Sequence, residues 1–259
     1  MKGMIMVTKE IIINGFKKLG LKQGDAVLVH SSLSSFGHVD GGADTVIDAL
    51  LETVGKEGTV LVPTLTGSEH LSAENPPVFD VRNTPCWTGK IPETFRKRQA
   101  AIRSLHPTHS VAAIGAKAKY ITEGHEKCLT PCGLNSPYTK IAESGGYVLL
   151  LGVDLECCTI LHTAEELTNV NYVMQSGLVN ATTIDDKGIE HKIRTGIHKY
   201  GDPRNFAKME PMLVEKKILV KGKVGNADVR LINAGKFLKL ATEILKTKPD
   251  YLLKSASPG

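Results

Sequence analysis

A chain of 259 residues, 41% hydrophobic and 23% charged, is long enough for one large α/β domain or two small ones and has the composition of a globular protein. A formal net charge of +5 is too mild to argue for nucleic acid by itself, and aromatic residues at 5% leave no stacking surface for single strands. The longest apolar run is too short to cross a bilayer, and the N-terminus lacks the apolar core and cleavage site of a secretory signal. With five cysteines, an odd number, a reducing cytoplasmic setting with no membrane and no nucleic-acid partner is expected.

Along the chain, residues 8–19 place Ile11, Ile12, Phe16 and Leu19 at helical spacing, and Gly20 closes the helix. Ala26 to His30 reads as a short buried strand, followed by a glycine- and serine-rich loop from Ser31 to Gly42. Asp44 or Gly42 can cap a helix over Thr45 to Val54, and Gly58 to Val62, stopped by Pro63, gives a second strand. That order predicts a parallel pair with a right-handed crossover. Residues 64–90 are polar and proline-bearing without periodicity, a loop of a length more often functional than idle. Ile91 to Gln99 suggests a helix with Pro92 in its first turn, Arg103 to Gly115 a polar approach to a small-residue strand, and Ala116 to Glu123 a helix. A turn from Pro131 to Pro137 precedes another helix, Tyr138 to Glu143.

Tyr147 to Leu151 is an unbroken apolar run, as a strand buried on both faces requires, and Gly152 ends it. Thr159 can cap a helix that carries His162 in its first turn and Glu165 three residues later, to about Asn169. Tyr172 to Ile184 and Ile189 to Lys199 alternate as a hairpin around Asp185 to Gly188. Arg204 to Glu215 reads as helical, Leu219 to Ile232 as a strand pair, and Lys236 to Thr247 as a closing amphipathic helix. No internal repeat or linker interrupts the chain, so residues 1–259 are expected to form a single domain.

Helical spacing puts His162 and Glu165 on one face, after a strand whose carboxyl end is where α/β proteins gather ligands. The positive helix terminus disfavours imidazolium, which suits a proton acceptor. On spacing alone, the pair reads first as a solvated surface pair. The Ser31–Gly42 loop can offer backbone N–H groups to phosphate, but it lacks both a P-loop lysine and dinucleotide glycine spacing. His106 and His109 with Cys128, Cys132, Cys157, Cys158 or His162 are a loose fit to zinc spacing, and the serines lack a nucleophile elbow.

Six segments in order then resemble one family. They are His30, Ser31, Ser32 and Leu33 with Gly37, Val39, Gly41 and Gly42, followed by Val62-Pro63-Thr64; Arg103-Ser104 with His106-Pro107, Ser110, Ala112, Ala113 and Gly115; Ser136-Pro137; Leu149 to Gly152; Thr159, Leu161, His162, Ala164 and Glu165; and Gly222 to Gly225 with Ala227, Arg230 and Leu231. Together they resemble the aminoglycoside 3-N-acetyltransferases over nearly the whole chain. The resemblance implies a three-layer α/β/α fold around a mixed β-sheet, acetyl-coenzyme A as co-substrate without a metal, and an aminoglycoside 3-amino group as acceptor. It implies His162 as acid/base with Glu165 as its carboxylate. Coenzyme A contacts are implied at Ser31, Ser32, Leu33, Ser34, Ser35, Phe36, Gly37, His38 and Val39, with Thr64, Arg103, Ser110 and Val111. An acid-lined acceptor site is implied, for which Glu156, Glu69 and Asp80 are the candidates.

Two departures bear on the substrate. Glu156 stands where many members carry aspartate, and the stretch from Lys192 to Lys223 is basic enough to repel a polycationic sugar. A coenzyme A-dependent transferase acting on another small amine therefore stands beside the aminoglycoside reading. A zinc-dependent hydrolase built on His106, His109, His162 and the cysteines, and a non-catalytic binding module, are the readings from other classes. The partners expected are a small-molecule amine and, as assembly, a homodimer.

Overall fold

The computed structural model describes residues 6–254. Helix α1 (Lys9–Leu19) starts at Thr8, whose hydroxyl accepts from the Ile11 N–H, and stops at Gly20 in the left-handed conformation. Strand β1 (Ala26–Ser31) follows, then α2 (Gly42–Val54), β2 (Thr59–Pro63), β3 (Val78–Asp80), α3 (Lys90–Phe95), β4 (Ile102–Arg103) and β5 (Val111–Gly115). The chain continues through α4 (Ala118–Thr122), α5 (Pro137–Glu143), β6 (Tyr147–Leu151), α6 (Ile160–Leu167), β7 (Val179–Ile184) and β8 (Glu190–Thr195). Helix α7 (Glu210–Glu215), β9 (Leu219–Val224), β10 (Ala227–Asn233) and α8 (Ala234–Thr247) complete it.

Seven strands form a mixed sheet in the order β4-β5-β2-β1-β6-β10-β9. The central trio β2-β1-β6 is parallel, and both flanks are antiparallel. Alternation along these strands sorts side chains into two cores. Leu28, Leu61, Val148 and Leu150 pack under α4, α5, α6 and α8, where Ile121, Tyr138, Leu161 and Phe237 are fully buried. Val27, Val29, Val60, Leu149 and Leu151 pack under α1, α2 and α3 with Phe16, Ile47 and Phe95. The apolar runs of β1 and β6 thus serve two faces, and the expected α/β/α layering is the observed one. A small sheet, β3-β7-β8, stands apart from the large one in pairing.

Several boundaries differ from expectation. Helix α2 begins three residues early because Gly41 and Gly42, both at positive φ, turn the chain directly into it. Helix α3 ends at Phe95 rather than Gln99, and α4 is confined to Ala118–Thr122. Residues 64–90 contain the short strand β3, which pairs with β7. The segment 172–178 is not strand: Tyr172 and Val173 turn into the α6-side core instead, so β7 starts only at Val179. Residues 206–209 form a 3-10 turn before α7. Thr159 does not cap α6, because it already has helical dihedrals and its side chain makes no cap bond; a 3-10 turn over Leu155–Cys157, capped by Asp154, leads in instead.

Candidate active site

The carboxyl ends of β1, β2 and β6 open on a cavity of about 440 Å³ whose walls include His30, Pro63, Trp87, Glu156, His162 and His198. Gly152 takes φ +66° at the end of β6, and α6 is then anchored by Ile160, Leu161 and Ala164 in the core, so His162 is left facing the cavity side. Its Nδ1 lies 2.7 Å from Glu165 Oε2, and Arg204 Nε donates to Glu165 Oε1 at 3.3 Å. The side chain of His162 is 28% exposed and that of Glu165 is wholly buried. A solvated surface pair is thereby excluded. Burial works to raise the Glu165 pKa, but His162 and Arg204 together hold it below the ordinary carboxylate range. The ionised carboxylate accepts from Nδ1–H, which leaves the Nε2 lone pair of His162 as the proton-accepting atom.

A second pair lies against the first. Glu166 is buried, accepts the Cys132 N–H on both oxygens at 3.0 and 2.9 Å, and sits with Oε1 2.6 Å from His198 Nε2. The His198 ring is 4.8 Å from that of His162 and 4.3 Å from that of His109, centroid to centroid. Burial pushes Glu166 up to about 7, and burial with the neighbouring His162 holds His198 well below the usual imidazole range. Sequence spacing shows none of this: Glu166 follows Glu165 directly, and His198 is 32 residues away in a segment read as strand.

The serine-rich loop forms a separate open groove lined by Ser31, Ser32, Leu33, Ser34, Gly37, His38 and Val39, and Lys90 lines it too. Ser31 also lines the His162 cavity and so joins the two spaces; its Oγ is buried without a partner among the described residues, as is His30 Nε2. Two members of the loop turn elsewhere. Phe36 is fully buried in the core, and Ser35 donates its hydroxyl to the Ser32 carbonyl at 2.7 Å.

Thr64, Arg103, Ser110 and Val111 do not line either the cavity or the groove. Thr64 and Ser110 share a 2.8 Å hydroxyl bond, and the buried Arg103 guanidinium donates to both and to the carbonyls of Thr64, Val81 and Thr84. Their polar atoms are spent on joining β2 and β5 to the 81–84 turn, and Val111 is interior to β5. Of the proposed acids, Glu156 lines the cavity and accepts the Ala207 N–H at 3.0 Å. Asp80 instead closes its own turn, accepting from Arg82 N, Asn83 N and Asn83 Nδ2, each at 2.9 Å. Glu69 is exposed beside His70 and does not line the cavity.

Of the basic stretch, Lys199 and Arg204 reach the cavity wall, and both are paired, Lys199 with Asp202 at 2.9 Å and Arg204 with Glu165. Asp202 and Glu156 both line the cavity, so its wall carries acid as well as base. Among the described residues, the set that could hold a soft metal ion is His109, Cys132 and His198, whose ligand atoms lie within 4.8 Å of one another. His106 is outside it: its Nε2 lies 3.2 Å from Thr195 Oγ1, and its Nδ1 accepts from two backbone N–H groups.

The family model described as aminoglycoside 3-N-acetyltransferase matches residues 28–246. Aminoglycoside N(3)-acetyltransferase VII of Streptomyces paromomycinus is 37% identical over 178 residues, which span 63% of this chain and 62% of that one. Aminoglycoside N(3)-acetyltransferase IX of Micromonospora chalcea is 32% identical over 266 aligned positions, covering 93% of this chain and 94% of the relative. The solved structure described as "AAC-IIIb binary with CoASH" superposes with a TM-score of 0.80 at 28% identity, covering 98% of this chain and 100% of that one. A match that takes in β1 through most of α8, with the same architecture over nearly the full length, places this chain in the aminoglycoside 3-N-acetyltransferase family.

Proposed function

We propose that this chain transfers the acetyl group of acetyl-coenzyme A to the 3-amino group of an aminoglycoside, with His162 as general base. The carrying observation is the 2.7 Å bond from His162 Nδ1 to a fully buried Glu165, in a cavity joined through Ser31 to the serine-loop groove. Family membership supports the donor and the acceptor class. The residues suited to hold acetyl-coenzyme A are Ser31 to Ser34 and Gly37 to Val39, together with Lys90; the Ser31 hydroxyl, buried without a partner among the described residues, is a polar atom left for it.

An ammonium nitrogen has no lone pair, so the acceptor must be deprotonated to attack the thioester carbonyl. His162 Nε2 takes a proton from the attacking nitrogen, and the same imidazolium can return it to the leaving sulfur. Glu165 holds the ring in the required tautomer and offsets the charge it acquires, while Arg204 fixes Glu165. Glu156 and Asp202 supply carboxylates for the remaining ammonium groups of the acceptor.

Release of free thiol from acetyl-coenzyme A, followed across aminoglycosides and simple amines, tests both the donor and the acceptor. His162→Ala should lower turnover on the order of 10²–10⁴-fold while leaving the fold intact. Turnover at the wild-type level in that variant removes His162 from the chemistry. Thiol release with simple amines but with no aminoglycoside moves the acceptor to another class.

A further inference from the structure

We propose that His109, Cys132 and His198 form a binding site for a soft divalent cation of the zinc class beside the catalytic cavity. Such a site goes beyond the transferase reading and does not depend on it.

Three segments far apart in sequence bring these side chains together. His109 comes from the approach to β5, Cys132 from the turn before α5, and His198 from the chain after β8. All three are buried, and their ligand atoms lie within 4.8 Å of one another. Zinc bonds of about 2.0–2.1 Å to nitrogen and about 2.3 Å to sulfur put tetrahedral ligands roughly 3.5 Å apart. Small side-chain rotations supply the remaining contraction.

Each histidine has one ring nitrogen held and the other left over. Glu166 Oε1 lies 2.6 Å from His198 Nε2, and Thr108 Oγ1 lies 2.9 Å from His109 Nδ1. Among the described residues, His198 Nδ1 and His109 Nε2 have no hydrogen-bond partner. Histidines that bind a metal are held in this way, since an acceptor on the outer nitrogen fixes the ring and its tautomer. Glu166 also accepts the Cys132 N–H on both oxygens, at 3.0 and 2.9 Å, so one carboxylate sets two of the three ligands. The third is fixed through its backbone: the His109 N–H donates to His106 Nδ1 at 3.2 Å, and its carbonyl accepts from the Tyr138 hydroxyl at 3.1 Å.

One thiolate with two imidazoles suits zinc, or cobalt in its place, over magnesium and calcium, which take oxygen ligands. Binding breaks the Cys132 S–H bond, whose electron pair goes to the ion and whose proton goes to solvent. His109 and His198 both line the cavity, which gives the ion a way in. Three protein ligands leave the fourth position to water or a group in the cavity, as in catalytic rather than structural zinc sites.

The test uses the full chain, stripped of metal with a chelator and titrated with zinc against a chromophoric competitor. One equivalent should bind at micromolar concentration or below. Glu166→Gln should weaken binding about 10–100-fold, and Cys132→Ser and His198→Gln by more. Cobalt should give a thiolate-to-cobalt absorption band that is absent in Cys132→Ser and kept in Cys157→Ser, which removes the exposed cysteine. No stoichiometric binding by wild type, or a band that survives Cys132→Ser, overturns the proposal.

X-ray absorption of the zinc-loaded wild type needs no variant and decides the matter even where a substituted chain fails to fold. One sulfur per ion supports the site; none, or two or more, overturns it. Neither readout uses turnover, so a chain that releases no thiol with any amine defeats the transferase reading and leaves the metal site to be judged by its own measurements.

Discussion

Glu165 and Glu166 are neighbours on α6, both withdrawn from solvent, and each faces its own imidazole. Their surroundings drive them apart. Arg204 and His162 keep Glu165 ionised despite its burial, whereas Glu166 lacks a guanidinium and is pushed up to about 7. Glu165→Gln should therefore cost more than a hydrogen bond: the neutral amide cannot offset imidazolium charge, and its single oxygen can accept from His162 or from Arg204 but not from both. A fall in kcat on the order of 10²-fold or more is expected, with KM for the acceptor changed far less. A steady-state comparison checks this, and an effect confined to KM would assign Glu165 to binding instead. The His162–Glu165 pair was legible in the sequence because the interaction is three residues long. Arg204, 39 residues away, and His198 carry no local signal, since nothing in a loop's composition tells which buried carboxylate it will meet.

At the scale of elements, the turn after β6 sets how the loop and α6 meet. A Cβ built on Gly152 would lie 1.6 Å from Ser35 Oγ and 2.3 Å from Ser35 Cβ, at a φ of +66° that L-residues rarely adopt. Gly152→Ala should destabilise the chain by about 1 kcal/mol or more and shift the serine loop. In urea denaturation, Gly152→Ala with Ser35→Gly should recover part of the loss but not the strain in φ; full recovery would show that the clash alone matters. Elements with a local start and stop signal, such as α1 between Thr8 and Gly20, could be read directly from the chain. The extended reading of 172–178 failed because alternation was matched there by residues that the α6-side core had claimed. Thr64, Arg103 and Ser110 were placed with the cofactor because their motif resembles the family's; the structure shows those polar side chains spent on each other.

For the molecule as a whole, buried imidazoles dominate the response to acid. His30, His106, His109, His125 and His198 are all buried, and burial holds each below the ordinary 6.5, His30 and His125 at about 3. The unfolded chain binds protons at these sites below pH 6.5 while the folded chain does not, so stability is lost as pH falls from 6.5 towards 3. Glu166 works in the other direction, since its raised pKa favours the folded state as pH falls from about 7 towards 4.5. Five groups against one should lower the urea midpoint between pH 7 and pH 5. A midpoint that holds or rises over that range would mean the imidazoles are already charged in the folded protein.

The His162–Glu165 pair and its anchoring strand β6 are complete by residue 165, but Arg204 and His198 come from chain that follows β7 and β8. His198 reaches its place only when the segment after β8 bridges to Met174 and Lys199 N bonds the Val173 carbonyl at 2.8 Å. During synthesis, a nascent chain can therefore assemble its parallel strands and expose His162 well before the groups that hold and surround it exist. The reactive centre is closed by late, long-range contacts, so a partly made or partly folded chain carries the imidazole without the environment that gives it use.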